Sequence, residues 1–182
     1  MKADLTQKMA IPEGVTASVG ADNLVEIKGK AGEVKRIFKD ARIQVRLEGN
    51  EIVLTSAQAT KREKMRLNTY RAHILNMMRG VIENHVYALK VCSGHFPMNV
   101  ALQGDKLSVK NFIGEKIART LKIHKDAKVT VDGDIIGVTS ASKEVAGMVA
   151  GAIERLCKRP GFDKRIFQDG IYITKKDGKS IV

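Results

Sequence analysis

The sequence is poor in several things, and each shortage excludes something. Only two cysteines, Cys92 and Cys157, occur in 182 residues. They cannot build a disulfide framework, and a reducing compartment is expected. Tryptophan is absent and aromatic residues make up 4%. Proteins that grip single strands stack bases on aromatic platforms, and the composition offers few. Contacts to the phosphates and sugars of folded RNA or duplex suit it better. No apolar run approaches the roughly 20 residues of a membrane span. The opening MKADLTQKMAIPEG also lacks the apolar core of a secretory signal. A soluble intracellular protein with no membrane partner is expected. Acidic residues are scarce too: 20 Asp and Glu stand against 32 Lys and Arg, a net charge of +12. That excess favours an anionic partner, above all nucleic acid.

What the sequence does contain is a repeat. Val15, Ala17 and Val19 alternate with polar residues, Ala21-Asp22-Asn23 turns, and Val25 and Ile27 return, the pattern of a hairpin. Ile43, Val45 and Leu47, the pair Gly49-Asn50, then Ile52 and Leu54 make a second. Between them lies a Gly-rich basic loop, GKAGEVKR, residues 29–36. Leu67, Tyr70, Ile74, Met77 and Val81 then fall at helical spacing, with Thr60 and Glu63 placed for a capping box and an end near Gly80. Residues 1–11 read as a loose arm.

The second half repeats this order. NVALQGDKLSVKN (99–111) has the shape of ASVGADNLVEIKG (17–29), and VTVDGDIIGVTSA (129–141) matches VRLEGNEIVLTSA (45–57) without a gap. Val145, Met148, Val149, Ala152 and Leu156 form a second helical stripe. Ahead of this copy, 86–92 alternates like a strand with Tyr87, Leu89 and Val91 on one side. The expected class is α+β: two tandem duplicated domains, 1–83 and 84–182, each an antiparallel sheet of hairpins packed on one α-helix.

Reactive chemistry finds little to stand on. Cys92 and His95 could form a nucleophile pair only with spatial closeness and an orienting third group, and none is visible. A zinc site needs four ligands at usable spacing; two cysteines far apart and the scattered His73, His85, His95 and His124 do not supply them. No GxxxxGK[ST] loop occurs, and NFIGEKIAR (111–119) has one glycine, Gly114, where a KH-type clamp needs two. No catalytic residue, metal or cofactor is assigned.

What remains is a distributed basic surface. Its candidates are Lys30, Lys35 and Arg36 in the first loop, Lys61 and Arg62 with Lys64 and Arg66 at the start of the first helix, and Lys110 and Lys116 around the second loop. Cations near a helix N-terminus oppose its dipole, so an outside partner could reward them; a solvated helix face is the other reading. The densest stretch is KRPGFDKRIFQDGIYITKK (158–176), with Lys158, Arg159, Lys164, Arg165, Lys175 and Lys176. Residues 158–182 carry seven basic and three acidic side chains, +4. Ile166, Phe167, Ile171, Tyr172 and Ile173 can anchor it, and Asp169-Gly170 can reverse it between Arg165 and Lys175. Either it is an ordinary hairpin with solvated lysines, or a pinned strand that offers cations to phosphates. An enzyme using Cys92 and His95, or a basic adaptor for protein partners, are the competing classes.

The segments TYRAHILNMMRGV and YALKVCSGHFPMNV, the ending RIFQDGIYI and the tandem duplication together resemble the large-subunit ribosomal protein L6 family in its archaeal and eukaryotic form. The resemblance runs from about Ile11 to Lys176. It implies a two-domain fold of duplicated halves and direct binding to large-subunit ribosomal RNA. It also implies a cytoplasmic place in the ribosome near the stalk base, beside other ribosomal proteins and the RNA loop that translation factors touch. In the family the C-terminal domain makes much of the RNA contact; its motif falls here on Arg165, Phe167, Asp169, Gly170 and Tyr172, flanked by Lys164, Lys175 and Lys176. Some members carry longer C-terminal extensions; with the sequence ending at Val182, contacts from such a tail are expected to be absent.

Overall fold

The computed structural model describes residues 3–163 and 165–181. Its chain divides into two compact units, Met1–Asn84 and His85–Val182. The first contains β1 (Ala3–Ala10), β2 (Thr16–Val19), β3 (Leu24–Gly29), β4 (Gly32–Ile37), β5 (Gln44–Glu48), β6 (Glu51–Ala59) and α1 (Lys61–Ile82). The second contains β7 (His85–Cys92), β8 (Asn99–Gln103), β9 (Lys106–Lys110), β10 (Arg119–Lys122), β11 (Lys128–Asp132), β12 (Ile135–Ser140), α2 (Lys143–Leu156), β13 (Gly170–Lys176) and β14 (Lys179–Ser180).

The duplication is visible in the sheet order. In the first unit β1-β6-β5 form one antiparallel sheet and β2-β3-β4 a meander; in the second, β7-β12-β11 and β8-β9-β10 take the same places. The hairpins of each half therefore divide between two sheets, and the helix packs on both: α1 on β6, β1, β3 and β4, and α2 on β7, β12, β13 and β10. Two-residue turns at Gly49-Asn50 and Gly133-Asp134 close corresponding hairpins, and both glycines take positive φ (58° and 56°). That is backbone space an L side chain rarely enters.

Period-2 and period-3.6 patterns converge on the cores. Val25, Ile27, Ile52 and Leu54 from the strands meet Leu67, Ile74 and Val81 of α1, all fully buried. Each such side chain contributes about 1.5–3 kcal/mol on leaving water. In the second unit Leu89, Leu107, Ile136 and Val138 pack with Ala146, Ala150 and Ile153 of α2.

Several expectations are corrected. The N-terminal segment is no loose arm: β1 pairs with β6 from Ala3 to Ala10. Its alternation is blurred in the sequence because polar Gln7 takes an inward position, where its Nε2 donates to Asn68 Oδ1 at 2.8 Å. Residues 29–36 are not an open loop either; β3 and β4 pair up to Gly29 and Gly32 with only Lys30-Ala31 between. In α2 the buried face is Ala146, Val149, Ala150 and Ile153, while Met148 is 52% exposed. The helix lies close on the sheet at its start, where a Cβ on Gly147 would come within 3.3 Å of the Tyr87 hydroxyl.

The terminal stretch differs most. Asp169-Gly170 makes no reversal: Asp169 is buried and Gly170 opens β13, which pairs along β7. The chain turns at Asp177-Gly178, both with positive φ, into the short β14. Ile166 and Tyr172, expected as anchors, are 64% and 41% exposed; Ile171 is the buried one. The copied architecture thus gains a strand on the edge of β7 that β1 leaves bare in the first unit.

Candidate nucleic-acid interface

In the first unit the basic start of α1 is held open by its cap. Thr60 Oγ1 accepts from Arg62 N at 3.3 Å, and Glu63 Oε2 accepts from Thr60 N at 2.9 Å and contacts the Thr60 hydroxyl, a reciprocal capping box. Arg42 Nη1 adds a bond to Glu63 Oε1 at 3.0 Å. The Thr60 hydroxyl and backbone, then Arg42, hold the Glu63 carboxyl down at about 2. Negative charge at the dipole's positive end lets Lys61 and Arg62 stay there, exposed and without an ion-pair partner among the described residues. Arg66 is otherwise engaged, 2.9 Å from Asp40.

The β3–β4 hairpin is less available than its sequence suggests. Lys35 sits between Glu26 (3.1 Å) and Glu33 (2.8 Å), which raise its pKa. Arg36 reaches His73 at 3.2 Å and lies over the Phe38 ring. Strand register places Glu26 opposite Lys35, whereas Arg36 stands opposite Val25. Lys30, in the turn, is exposed.

In the second unit one residue organises the basic surface, and the sequence did not single it out. Arg119 forks onto Glu115 (2.8 and 2.7 Å) and donates through Nη1 to the carbonyls of Leu156 (2.7 Å) and Lys158 (3.1 Å). Its guanidinium also stacks 4.4 Å from the centre of buried Phe112. It satisfies carbonyls that the end of α2 leaves without helical partners. By doing so it ties the turn Phe112–Gly114 to the chain leaving that helix. Lys110 and Lys116 lie on either side of the tied turn, and Lys158 and Arg159 on the tied chain; all four are exposed. Arg159 lies 4.0 Å from Glu115 and stacks at 4.3 Å over Phe162. The only available clue was the i,i+4 spacing of Glu115 and Arg119, which says nothing of Leu156.

The remaining candidates lie elsewhere. Arg165 is 91% exposed and chelated by Asp163 (3.2 and 3.0 Å), whose carboxyl it pulls below the ordinary range. Lys164 lies outside the described residues. Lys175 and Lys176 are exposed at the far end of β13, opposite Ala88 and Tyr87, whereas Gly170 at its start is opposite Cys92. Arg165 and Lys175 therefore do not flank a common turn. A bulge between Ile173 and Lys175 sets the direction of the two lysines, with Thr174 Oγ1 donating to Ala88 O at 3.1 Å.

His95 and Cys157 serve other ends, and Cys92 is a free, partly buried thiol. His95 Nδ1 is 2.8 Å from Asp169 Oδ2, and Asp169 Oδ1 accepts from His95 N at 3.1 Å and from Gly94 N. Burial pushes the Asp169 carboxyl up; the hydrogen bonds from Gly94 and His95 outweigh it and leave it below the usual carboxylate range. This clasp joins the loop after β7 to the start of β13. Cys157 is buried, and loss of water around it lifts its thiol to about 11, far from a reactive thiolate. Among the described residues no three His, Cys, Asp or Glu side chains group as a metal site, and no helix is long and apolar enough to cross a membrane.

A duplicated α+β scaffold with exposed cations defines a class: a strongly basic protein built from two copies of one small unit. Comparison with known proteins makes it particular. The family model for ribosomal protein L6 matches residues 11–84. The chain is 40% identical to large ribosomal subunit protein uL6 of Methanocella arvoryzae, over 97% of this chain and 99% of that protein. It is 43% identical to the uL6 protein of Nanoarchaeum equitans (96% and 95% covered) and 37% to that of Methanococcus vannielii (96% and 96%). The chain belongs to the ribosomal protein L6 family, a family of ribosomal structural proteins rather than enzymes.

Proposed function

We propose that this protein is a structural constituent of the large ribosomal subunit in the cytoplasm. It binds large-subunit rRNA near the stalk base and the translation-factor-binding region, beside neighbouring ribosomal proteins. The residues 1–83 and 84–182 act as two L6-type domains, and the protein performs no catalysis. Lys110, Lys116, Lys158 and Arg159 make the main phosphate contacts, Lys61 and Arg62 a second set, and Lys164, Arg165, Lys175 and Lys176 further ones.

The observation that carries this reading is the Arg119 tie. Through Leu156 O at 2.7 Å and Glu115 at 2.7 Å it holds two basic segments in place with their cations exposed. Cations spaced by a rigid body neutralise phosphates and release counterions. With about five phosphates contacted, log affinity falls against log salt with a slope of roughly −4. Filter binding of the full chain to purified large-subunit rRNA across a salt series measures this. Replacing Lys110, Lys116, Lys158 and Arg159 by Gln should flatten the slope by about 3. A slope near zero for the unaltered protein refutes the reading.

A further inference from the structure

The chain has five phenylalanines and three tyrosines. Phe112, Phe162, Phe167 and Tyr172, half of them, line one cleft of about 640 Å³ in the C-terminal unit. Scarcity in the composition hides a local concentration. Phe112 is buried and forms the floor, whereas Phe162 and Phe167 are half-buried and Tyr172 is 41% exposed. Phe162 meets Phe167 edge-on at 4.8 Å. The Tyr172 ring lies against Gly170, where a Cβ would come within 3.2 Å of it. Lys158 and Arg159 stand on the rim, and the Arg159 guanidinium already stacks on Phe162.

We propose that this cleft receives an unstacked nucleobase of the bound RNA, with Lys158 and Arg159 taking the adjoining phosphate; the proposal rests on the rRNA-binding reading above. The volume falls within the range of small-molecule pockets, and clustered aromatic rings beside a guanidinium are the kind of surface on which a single base stacks. The end of α2 would repel a phosphate through its carbonyls, but Arg119 covers those of Leu156 and Lys158. The carboxylates nearby are occupied within the protein: Asp163 by Arg165, Asp169 by Gly94 and His95, and Glu154 Oε1 by the Ile173 N–H at 3.2 Å. Arg159 also lies 4.0 Å from Glu115, a carboxylate that Arg119 already chelates; a rim of this charge suits a nucleotide better than an apolar peptide.

The test has two arms. In the first, the full chain is titrated by NMR with adenosine 5′-monophosphate, with ribose 5-phosphate as the base-free control. Ring signals of Phe162, Phe167 and Tyr172 should move with the nucleotide and stay with the control. In the second, Phe162→Leu and Phe167→Leu together are assayed on large-subunit rRNA. Affinity should fall about tenfold, the loss of one stacked base, with the salt slope unchanged because no phosphate contact is removed. Should the double variant not fold, Phe162→Leu alone, on a half-buried ring, gives the same readout. Unmoved ring signals, or equal movement with ribose 5-phosphate, overturn the proposal, as does rRNA affinity equal to the unaltered protein. Salt-dependent rRNA binding that persists alongside those results leaves the broader reading standing; nucleotide-specific shifts without any rRNA binding would do the reverse.

Discussion

Replacing Asp169 should loosen the C-terminal unit, and its surroundings set by how much. The side chain is 1% exposed and accepts two backbone N–H groups through Oδ1 and the His95 ring through Oδ2. A hydrogen bond to a charged acceptor is worth about 1.5–3 kcal/mol and a neutral one about 0.5–1.5. Asp169→Asn can keep the two backbone bonds but not the charge, a loss of about 2 kcal/mol. The His95 bond adds less, since that side chain is 41% exposed and solvent weakens the pair. Asp169→Ala leaves both N–H groups unpaired and costs about 4 kcal/mol. For a unit of this size 1 kcal/mol moves Tm by about 4–8 °C, so Asp169→Asn lowers it on the order of 10 °C. The carboxyl's pKa is held below its unfolded value. Its contribution is therefore complete above the unfolded pKa of about 3.9 and fades as pH falls through the folded value. Scanning calorimetry of the full chain at several pH values reads both effects. Variant and unaltered protein should differ most above about pH 4 and converge in acid. An Asp169→Ala protein that melts with the unaltered one at neutral pH refutes the clasp. Because it sets the start of β13, the same variants should also weaken rRNA binding.

Two further predictions concern the first unit. Glu63 has its pKa lowered from 4.5 to about 2, so its stabilisation of α1 is complete above 4.5 and disappears as pH falls through about 2; far-ultraviolet circular dichroism should show helix loss over that window, and Glu63→Gln should abolish the pH dependence while weakening the helix at neutral pH. Gly29→Ala would place a Cβ 2.6 Å from the Val81 carbonyl, whereas the nearest atom at Gly20 is 3.8 Å away. Urea titration should find Gly29→Ala less stable by about 1–3 kcal/mol and Gly20→Ala close to unchanged; equal effects would argue against tight packing of the β3–β4 turn on the end of α1.

Much of the fold was legible because a repeat states its pattern twice. Gly49 and Gly133 mark one turn in two copies, and the Leu67 to Val81 stripe lies on the buried side of α1. Where a pattern was weak, reading failed. The strand at 3–10 carries Gln7 inward, so its alternation is blurred, although its place follows from the strand at 85–92 ahead of the second copy. In α2, Ala146, Val149, Ala150 and Ile153 face the sheet and Met148 does not, a rotation of the stripe by which alanines, weak apolar signals in a sequence, take two of the buried positions.

For the interface the division is sharper. The sequence by itself determined the sign of the charge, the duplicated scaffold and the family, since these depend on residue identity and on spacings along the chain. Tertiary structure alone decided which cations are available. Lys35 faces Glu26 through strand register, while Arg119 meets Leu156 across 37 positions of chain. It alone brought Phe112 to Phe162, Phe167 and Tyr172 around one cleft. Partners that distant in sequence are chosen by packing, and nothing in local periodicity encodes them.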